Sequence, residues 1–187
     1  MFFKKIDNLN NALDVKKLYE NSFPEEERTD FFKLFSDIYE EFQLYALYDN
    51  KNLIAFIHFN ETENFIHLNY FAVDILFQSK GHGSYVINWL KKEFPSKALV
   101  LDVEIPEKSA KNNNERERRI AFYKKNNFIF SNYTFNWADC LMSPMYYGNL
   151  NCKEFIDYIQ IIAPTIKDVK KISLNEMVTD DLNAMER

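Results

Sequence analysis

The stretch FAVDILFQSKGHGS, residues 71–84, decides how the chain is read. It begins on β-formers, crosses a short connection and opens a helix whose apolar positions are Val86, Ile87, Leu90 and Phe94. Pro95 stops that helix, which starts near His82. ALVLDVE (98–104) follows as a near-continuous apolar run, the pattern of a strand covered on both faces. Strand, helix and second strand make a β-α-β unit, so part of the sheet is expected to be parallel. The connection holds Gly81 and Gly83, two of only three glycines in the chain, which asks for a reason.

A helix N-terminus presents N–H groups without intrahelical partners and the positive end of the helix dipole. Phosphates bind well there. Gly81 accepts a positive φ at little steric cost, and small residues at 81 and 83 let a pyrophosphate lie on the backbone. Lys80 adds a charge at the rim, and Gln78 either pins the loop or donates a hydrogen bond. A tight, closely packed turn is the plainer alternative. The spacing is not that of a P-loop, and Val86 and Ile87 stand where G-x-G-x-x-G would need its third glycine. A nucleotide-phosphate enzyme is therefore disfavoured.

Upstream, residues 1–6 read as a short strand. Ala12, Val15, Leu18 and Tyr19 mark a helix from Asn11 to about Phe23. SFPEEERTD breaks it. Phe31, Leu34, Phe35, Ile38 and Phe42 then predict a second helix over 30–42. Residues 43–49, 52–60 and 65–74 are three short β-rich runs with short turns, an antiparallel meander. Downstream, 107–114 is a polar loop, 115–127 a helix with Ile120 and Tyr123 on one side, 128–137 and 141–148 strands, and 151–163 a last helix. The fold class is mixed α+β. Residues 1–148 are expected to form one domain. Residues 149–187 are read as a helical extension packed on it, with a homodimer through that helix as the other role left open.

The 187 residues are 47% hydrophobic and 17% aromatic, enough for an aromatic-rich core without disulfide or metal. A net charge of -5 argues against nucleic acid, which needs a basic face. Cys140 and Cys152 have no ligand spacing. With neither a signal-type leader nor a membrane-length apolar run, the chain is read as soluble and cytoplasmic.

Gln78-Ser79-Lys80-Gly81-His82-Gly83 resembles the [Q/R]-x-x-G-x-[G/A] motif of the GCN5-related N-acetyltransferase (GNAT) superfamily. IAFYKKNNF (120–128) is similar to its second signature, a helix ending F-Y-x-x-x-G-F before a strand, with Asn127 in place of the glycine. SFPEEER and DVEIP also resemble stretches of a bacterial branch of the superfamily, and the likeness covers roughly residues 1–148. It implies a twisted, mostly antiparallel sheet in which strand 65–74 splays from strand 98–104 at a bulge, at the acetyl-CoA site. It implies acetyl-CoA as donor, an amine as acceptor, direct transfer in a ternary complex and no metal.

By position the resemblance assigns the donor's phosphates to the backbone of Gly81, His82, Gly83 and Ser84, with Gln78, Ser79 and Lys80 beside them. The His82 side chain is incidental. Arg119, Phe122, Lys124 and Lys125 would add to that site, although the RERR run (116–119) also reads as a solvated helix face. Phe71, Ala72 and Val73 would offer backbone groups to pantetheine, with an N–H near Val73 polarising the thioester carbonyl. Tyr123 stands where the family often places the phenol that protonates the leaving thiolate. Glu104, at the end of a buried strand, would take the amine proton or hold an ammonium. His58 and His67 are expected as sheet-surface neighbours across a hairpin, with a place lining the substrate groove as the other reading, and are too few for a metal site. A non-catalytic acyl-CoA-binding or interaction module is the competing reading.

Overall fold

The computed structural model describes residues 1–8, 12–35 and 42–172. The chain divides into two compact units, Met1–Leu99 and Val100–Arg187.

In the first unit, β1 (Phe2–Lys5), β2 (Phe42–Asp49), β3 (Asn52–Glu61) and β4 (Phe65–Val73) lie side by side in chain order. All three pairings are antiparallel, the expected meander. Alternation along the strands divides the residues between two faces. On one face Leu44, Ala46, Phe56 and Ala72 pack with Val15, Leu18 and Tyr19 of α1 (Leu13–Ser22). On the other, α2 (His82–Glu93) sets Trp89 on Phe3 and Tyr45, and the residue after it, Phe94, meets Phe59 edge-on. After α2 the chain returns to the start of β4. There the Ala98 N–H donates to the Asn64 carbonyl (3.1 Å) and Lys97 pairs with Glu61 (2.8 Å). This starts β5 (Ala98–Glu104) beside the start of β4, the parallel step of a β-α-β unit.

Two expectations fail in this unit. Residues 31–35 form a single 3₁₀ turn instead of the opening of a helix over 30–42, and Phe42 begins β2. The apolar spacing over 31–35 suits either geometry, because Phe31 and Leu34 are buried three residues apart and one 3₁₀ turn achieves that. Ile38 lies outside the described residues. The second correction concerns the histidines. A register break between His58 and Phe59 inserts Asn69 as an extra residue in β4, so His58 opposes Tyr70 and His67 opposes Asn60. Both rings are buried, not on the sheet surface.

In the second unit, β5 neighbours β8 (Cys140–Tyr147), which pairs antiparallel with β7 (Tyr133–Trp137) and with the two-residue β6 (Ile129–Phe130). Ala138 and Asp139 both take positive φ, a two-residue hairpin turn that delivers Cys140 to the start of β8. The helices are α3 (Asn113–Lys125) and α4 (Cys152–Ile162). The Asn151 side chain caps α4 by accepting from the Glu154 N–H, and Phe155, Ile156 and Ile159 form its buried stripe. Finally β9 (Lys167–Lys171) pairs antiparallel with β7. Its sequence, KDVKK, is too charged to read as a strand from composition, and charge is what sheet edges tolerate.

Candidate functional site

The connection from β4 to α2 is built for exposed backbone donors. Asp74 accepts from the Leu76 N–H (2.9 Å) and caps a 3₁₀ turn over Ile75–Phe77. The Gln78 amide donates to the Val73 carbonyl (3.0 Å), so Gln78 pins the loop. Ser79 (φ 59°) and Gly81 (φ 86°) are both left-handed, and His82 already belongs to the helix. A left-handed residue followed by a helical one turns successive N–H groups into a concavity that suits anions. The first intrahelical bond runs from the Tyr85 N–H to the Gly81 carbonyl (3.0 Å), so the N–H groups of His82, Gly83 and Ser84 lie ahead of the helical ladder. The first turn contains no acid. A Cβ on Gly81 would meet nothing within 4 Å, so glycine there answers to the backbone angle and leaves open space above. Lys80 folds back, donating to the Leu76 carbonyl (2.8 Å) with its ammonium 5.6 Å from the Phe77 ring centre. In β4, Phe71, Ala72 and Val73 oppose Ile57, Phe56 and Ala55, and the Ala72 side chain belongs to the core.

The second unit gathers a different kind of chemistry. Glu104 ends β5 with its carboxylate largely buried. One oxygen receives Arg116 (2.8 Å) and the Cys140 thiol (3.5 Å); the other receives Arg119 (3.6 Å) and the Asn112 amide (3.4 Å). Arg116 is itself buried, donating also to Asn112 (2.9 Å) and the Ile105 carbonyl (3.0 Å). Burial and the Glu104 carboxylate push the Cys140 thiol pKa up, with Arg116 opposing.

Tyr123 is held by the way α3 ends. The Phe128 N–H bonds back to the Tyr123 carbonyl (3.0 Å), the Asn127 N–H to that of Lys124 (2.9 Å), and Asn127 is left-handed (φ 64°). This is a Schellman termination with asparagine in the glycine position, completed by the Phe128 ring against the Tyr123 ring (5.4 Å). The F-Y-x-x-x-N-F spacing thus has a local physical cause. The Tyr123 phenol is buried, which raises its pKa to about 12 against the pull of Arg119. Phe122 lies against Tyr123 (5.1 Å), Lys124 over Phe130 (5.9 Å), and Lys125 is exposed.

The residues anticipated at 78–84 therefore converge on one loop, and Glu104 and Arg119 meet. Arg116 corrects the reading of the RERR run as a solvated helix face: it is buried and paired with Glu104, and a signal was present. It lies four residues before Ile120 on the buried side of α3, where an arginine must find a carboxylate. The resemblance implies a bulge in this strand, but its place at Asn69 and the contact with His58 escaped, because strand periodicity does not locate a bulge.

A model of the acetyltransferase (GNAT) family matches residues 12–128. No curated protein matches the chain. Among solved structures, a GNAT-family acetyltransferase from Bacteroides thetaiotaomicron is similar over 88% of this chain and 98% of its own, at 24% identity and a TM-score of 0.71. An aminoglycoside 6'-N-acetyltransferase complexed with coenzyme A is similar over 79% and 96% respectively (17% identity, TM-score 0.61). The ribosomal-protein-S18-alanine N-acetyltransferase from Escherichia coli is similar over 80% and 98% (18% identity, TM-score 0.56). The fold is shared with all three.

Proposed function

We propose, from the premise that the chain belongs to the acetyltransferase (GNAT) family, that it transfers the acetyl group of acetyl-CoA directly to a primary amine in a ternary complex. The observation that carries this reading is the acid-free N-terminus of α2, with the N–H groups of residues 82–84 ahead of the helical ladder and open space over Gly81. A protein of net charge -5 holds a polyanion by such a local field, not by its overall one.

In this reading the 81–84 backbone takes the diphosphate, with Gln78, Ser79 and Lys80 at its edge and Arg119, Phe122, Lys124 and Lys125 as further donor contacts. The backbone of Phe71, Ala72 and Val73 receives pantetheine, and a Val73 N–H stabilises charge developing on the thioester oxygen. The described part of residues 20–42 walls the acceptor side. It is tied to β4 by the Tyr70 hydroxyl, which donates to the Glu27 carbonyl (3.1 Å) and accepts from the Thr29 N–H (3.2 Å).

An alkyl amine is mostly ammonium at neutral pH and must lose one proton before its lone pair attacks the carbonyl carbon. Glu104 takes that proton or steadies the ammonium, exchanging Arg119, its most exposed partner. As the C–S bond breaks, the second amine proton travels to sulfur. Tyr123, still protonated with a pKa near 12, hydrogen-bonds the departing thiolate and relays that proton. The described residues after 148 extend the transferase domain, with α4 burying its apolar stripe and β9 pairing with β7.

The engagement of Glu104 by two arginines supports one other reading, a non-catalytic acyl-CoA-binding module. Incubation with acetyl-CoA and a pooled amine library, followed by mass spectrometry, separates the two. Acetylated products are expected, whereas tight donor binding without any product would leave only the binding module.

A further inference from the structure

On the α1 face of the first unit, a largely apolar layer contains five polar residues, His58, Asn60, His67, Asn69 and Tyr70. The extra residue that the β4 bulge introduces is Asn69, and its amide N–H₂ donates to the Asn60 side-chain oxygen and reaches His58 Nδ1 at 3.4 Å. With the Asn69 amide as donor, Nδ1 is the acceptor, and the neutral ring then carries its proton on Nε2. The ring is neutral at physiological pH, since burial, with His67 adding, lowers its pKa to about 3. Phe42 stacks on it (5.2 Å, 19°), and Tyr70 lies 6.0 Å away. His58 is 2% exposed, and its Nε2 is buried with no hydrogen-bond partner.

An unmatched donor in an apolar layer is a cost that phenylalanine or leucine would avoid in the same space. The cluster also adjoins the proposed acceptor wall. Tyr70 holds residues 27–29, and Phe42, at the far end of the proposed wall, stacks on the His58 ring.

We propose that His58 is a specificity-determining contact for the acceptor, its Nε2–H donating to an oxygen of the substrate, which is an amine with a carbonyl or hydroxyl oxygen near the amino group and not a purely alkyl amine or polyamine. The reactive nitrogen itself cannot fill this role. As ammonium it has no lone pair, and as free amine its lone pair is needed for attack. A site built around a buried donor disfavours analogues that leave the donor unpaired. The inference rests on the acetyl-transfer reading and names the substrate class for it.

The test compares glycinamide and 2-aminoethanol with propylamine and butane-1,4-diamine, using wild type, His58→Phe and His58→Gln. Phenylalanine keeps the stacked ring without the N–H, and glutamine returns an N–H near the Nε2 position. Wild type should favour the oxygen-bearing amines in kcat/KM by about tenfold or more, the equivalent of one hydrogen bond. His58→Phe should bring the ratio near unity while leaving acetyl-CoA affinity unchanged and melting temperature equal or higher, and His58→Gln should restore most of the preference. In parallel, the ¹⁵N-histidine spectrum of wild type bound to acetyl-CoA should show the His58 Nε2–H resonance moving with glycinamide and not with propylamine. A ratio unaffected by His58→Phe, or no preference and a resonance that stays still, overturns the inference and leaves the donor to a resident water. Failure of wild type to bind acetyl-CoA at all would instead break the reading beneath it.

Discussion

The loop at 78–84 and the cluster around Glu104 treat polar groups in opposite ways. In the loop, N–H groups at the start of α2 stand ahead of the helical ladder, the first turn contains no acid, and the protein leaves space above Gly81. Around Glu104, every strong group is used internally: a carboxylate takes two guanidinium groups, an amide and a thiol. The first arrangement can accept an anion without rearrangement. The second holds α3 to β5 and yields to a ligand only by exchanging a partner. One region is therefore the one proposed for binding, and the other ties α3 to β5.

Removing a member of the paired cluster should show the largest effect. Arg116→Ala leaves a largely buried carboxylate with only the more distant Arg119 as cation and should cost about 3 kcal/mol of folding stability. Urea denaturation checks this, and a loss within experimental error would mean that the cluster is not a structural anchor. Next, Tyr123→Phe keeps the ring against Phe128 and removes only the hydroxyl. A drop in kcat of about 100-fold or more, with unchanged acetyl-CoA affinity, is expected in steady-state kinetics. Unaltered turnover would move Tyr123 out of the chemistry and leave it the packing role at the end of α3.

A pH series sharpens the contrast from the first unit. The unfolded chain protonates His58 below its ordinary pKa of about 6.5, but the folded protein resists until about 3. Unfolded molecules thus bind more protons in that window. The His58 contribution is full above about pH 6.5 and is lost as pH falls, by up to about 1.4 kcal/mol per unit. Thermal melts from pH 7 to 4 should show a steeper decline for wild type than for His58→Phe. The smallest effect belongs to Lys80→Ala. Its exposed ammonium already donates to the Leu76 carbonyl, so acetyl-CoA affinity should weaken only a few-fold, and less at high salt.

The two regions also differ in how far they could be read from sequence. The loop was legible because glycine scarcity and the strand–turn–helix order are local properties. The end of α3 was legible for the same reason, since Asn127 and Phe128 complete a termination motif within seven residues. The Glu104 cluster was not legible as a cluster, since Glu104 and Arg119 were singled out for different tasks and Arg116 was read with a solvated face. Its other partners come from the start of α3 and from the hairpin turn at 138–139, and such pairings depend on packing that no spacing rule encodes. A bulge in β4 was implied by the resemblance, but its place at Asn69 was hidden because strand patterns assume unbroken alternation. The helix expected over 30–42 gave way to a 3₁₀ turn and a strand start because a few aromatic positions fit both periods.

The central claim is that the backbone at the start of α2 holds the diphosphate of acetyl-CoA, and Gly83 is the place to test it. Unlike Gly81 it is not left-handed, so the helix can carry a side chain there without backbone strain. Titration calorimetry of acetyl-CoA into Gly83→Phe, beside circular dichroism of the same sample, should show affinity reduced by about 100-fold or more in a protein with wild-type helix content. Wild-type affinity in the folded variant would contradict the claim.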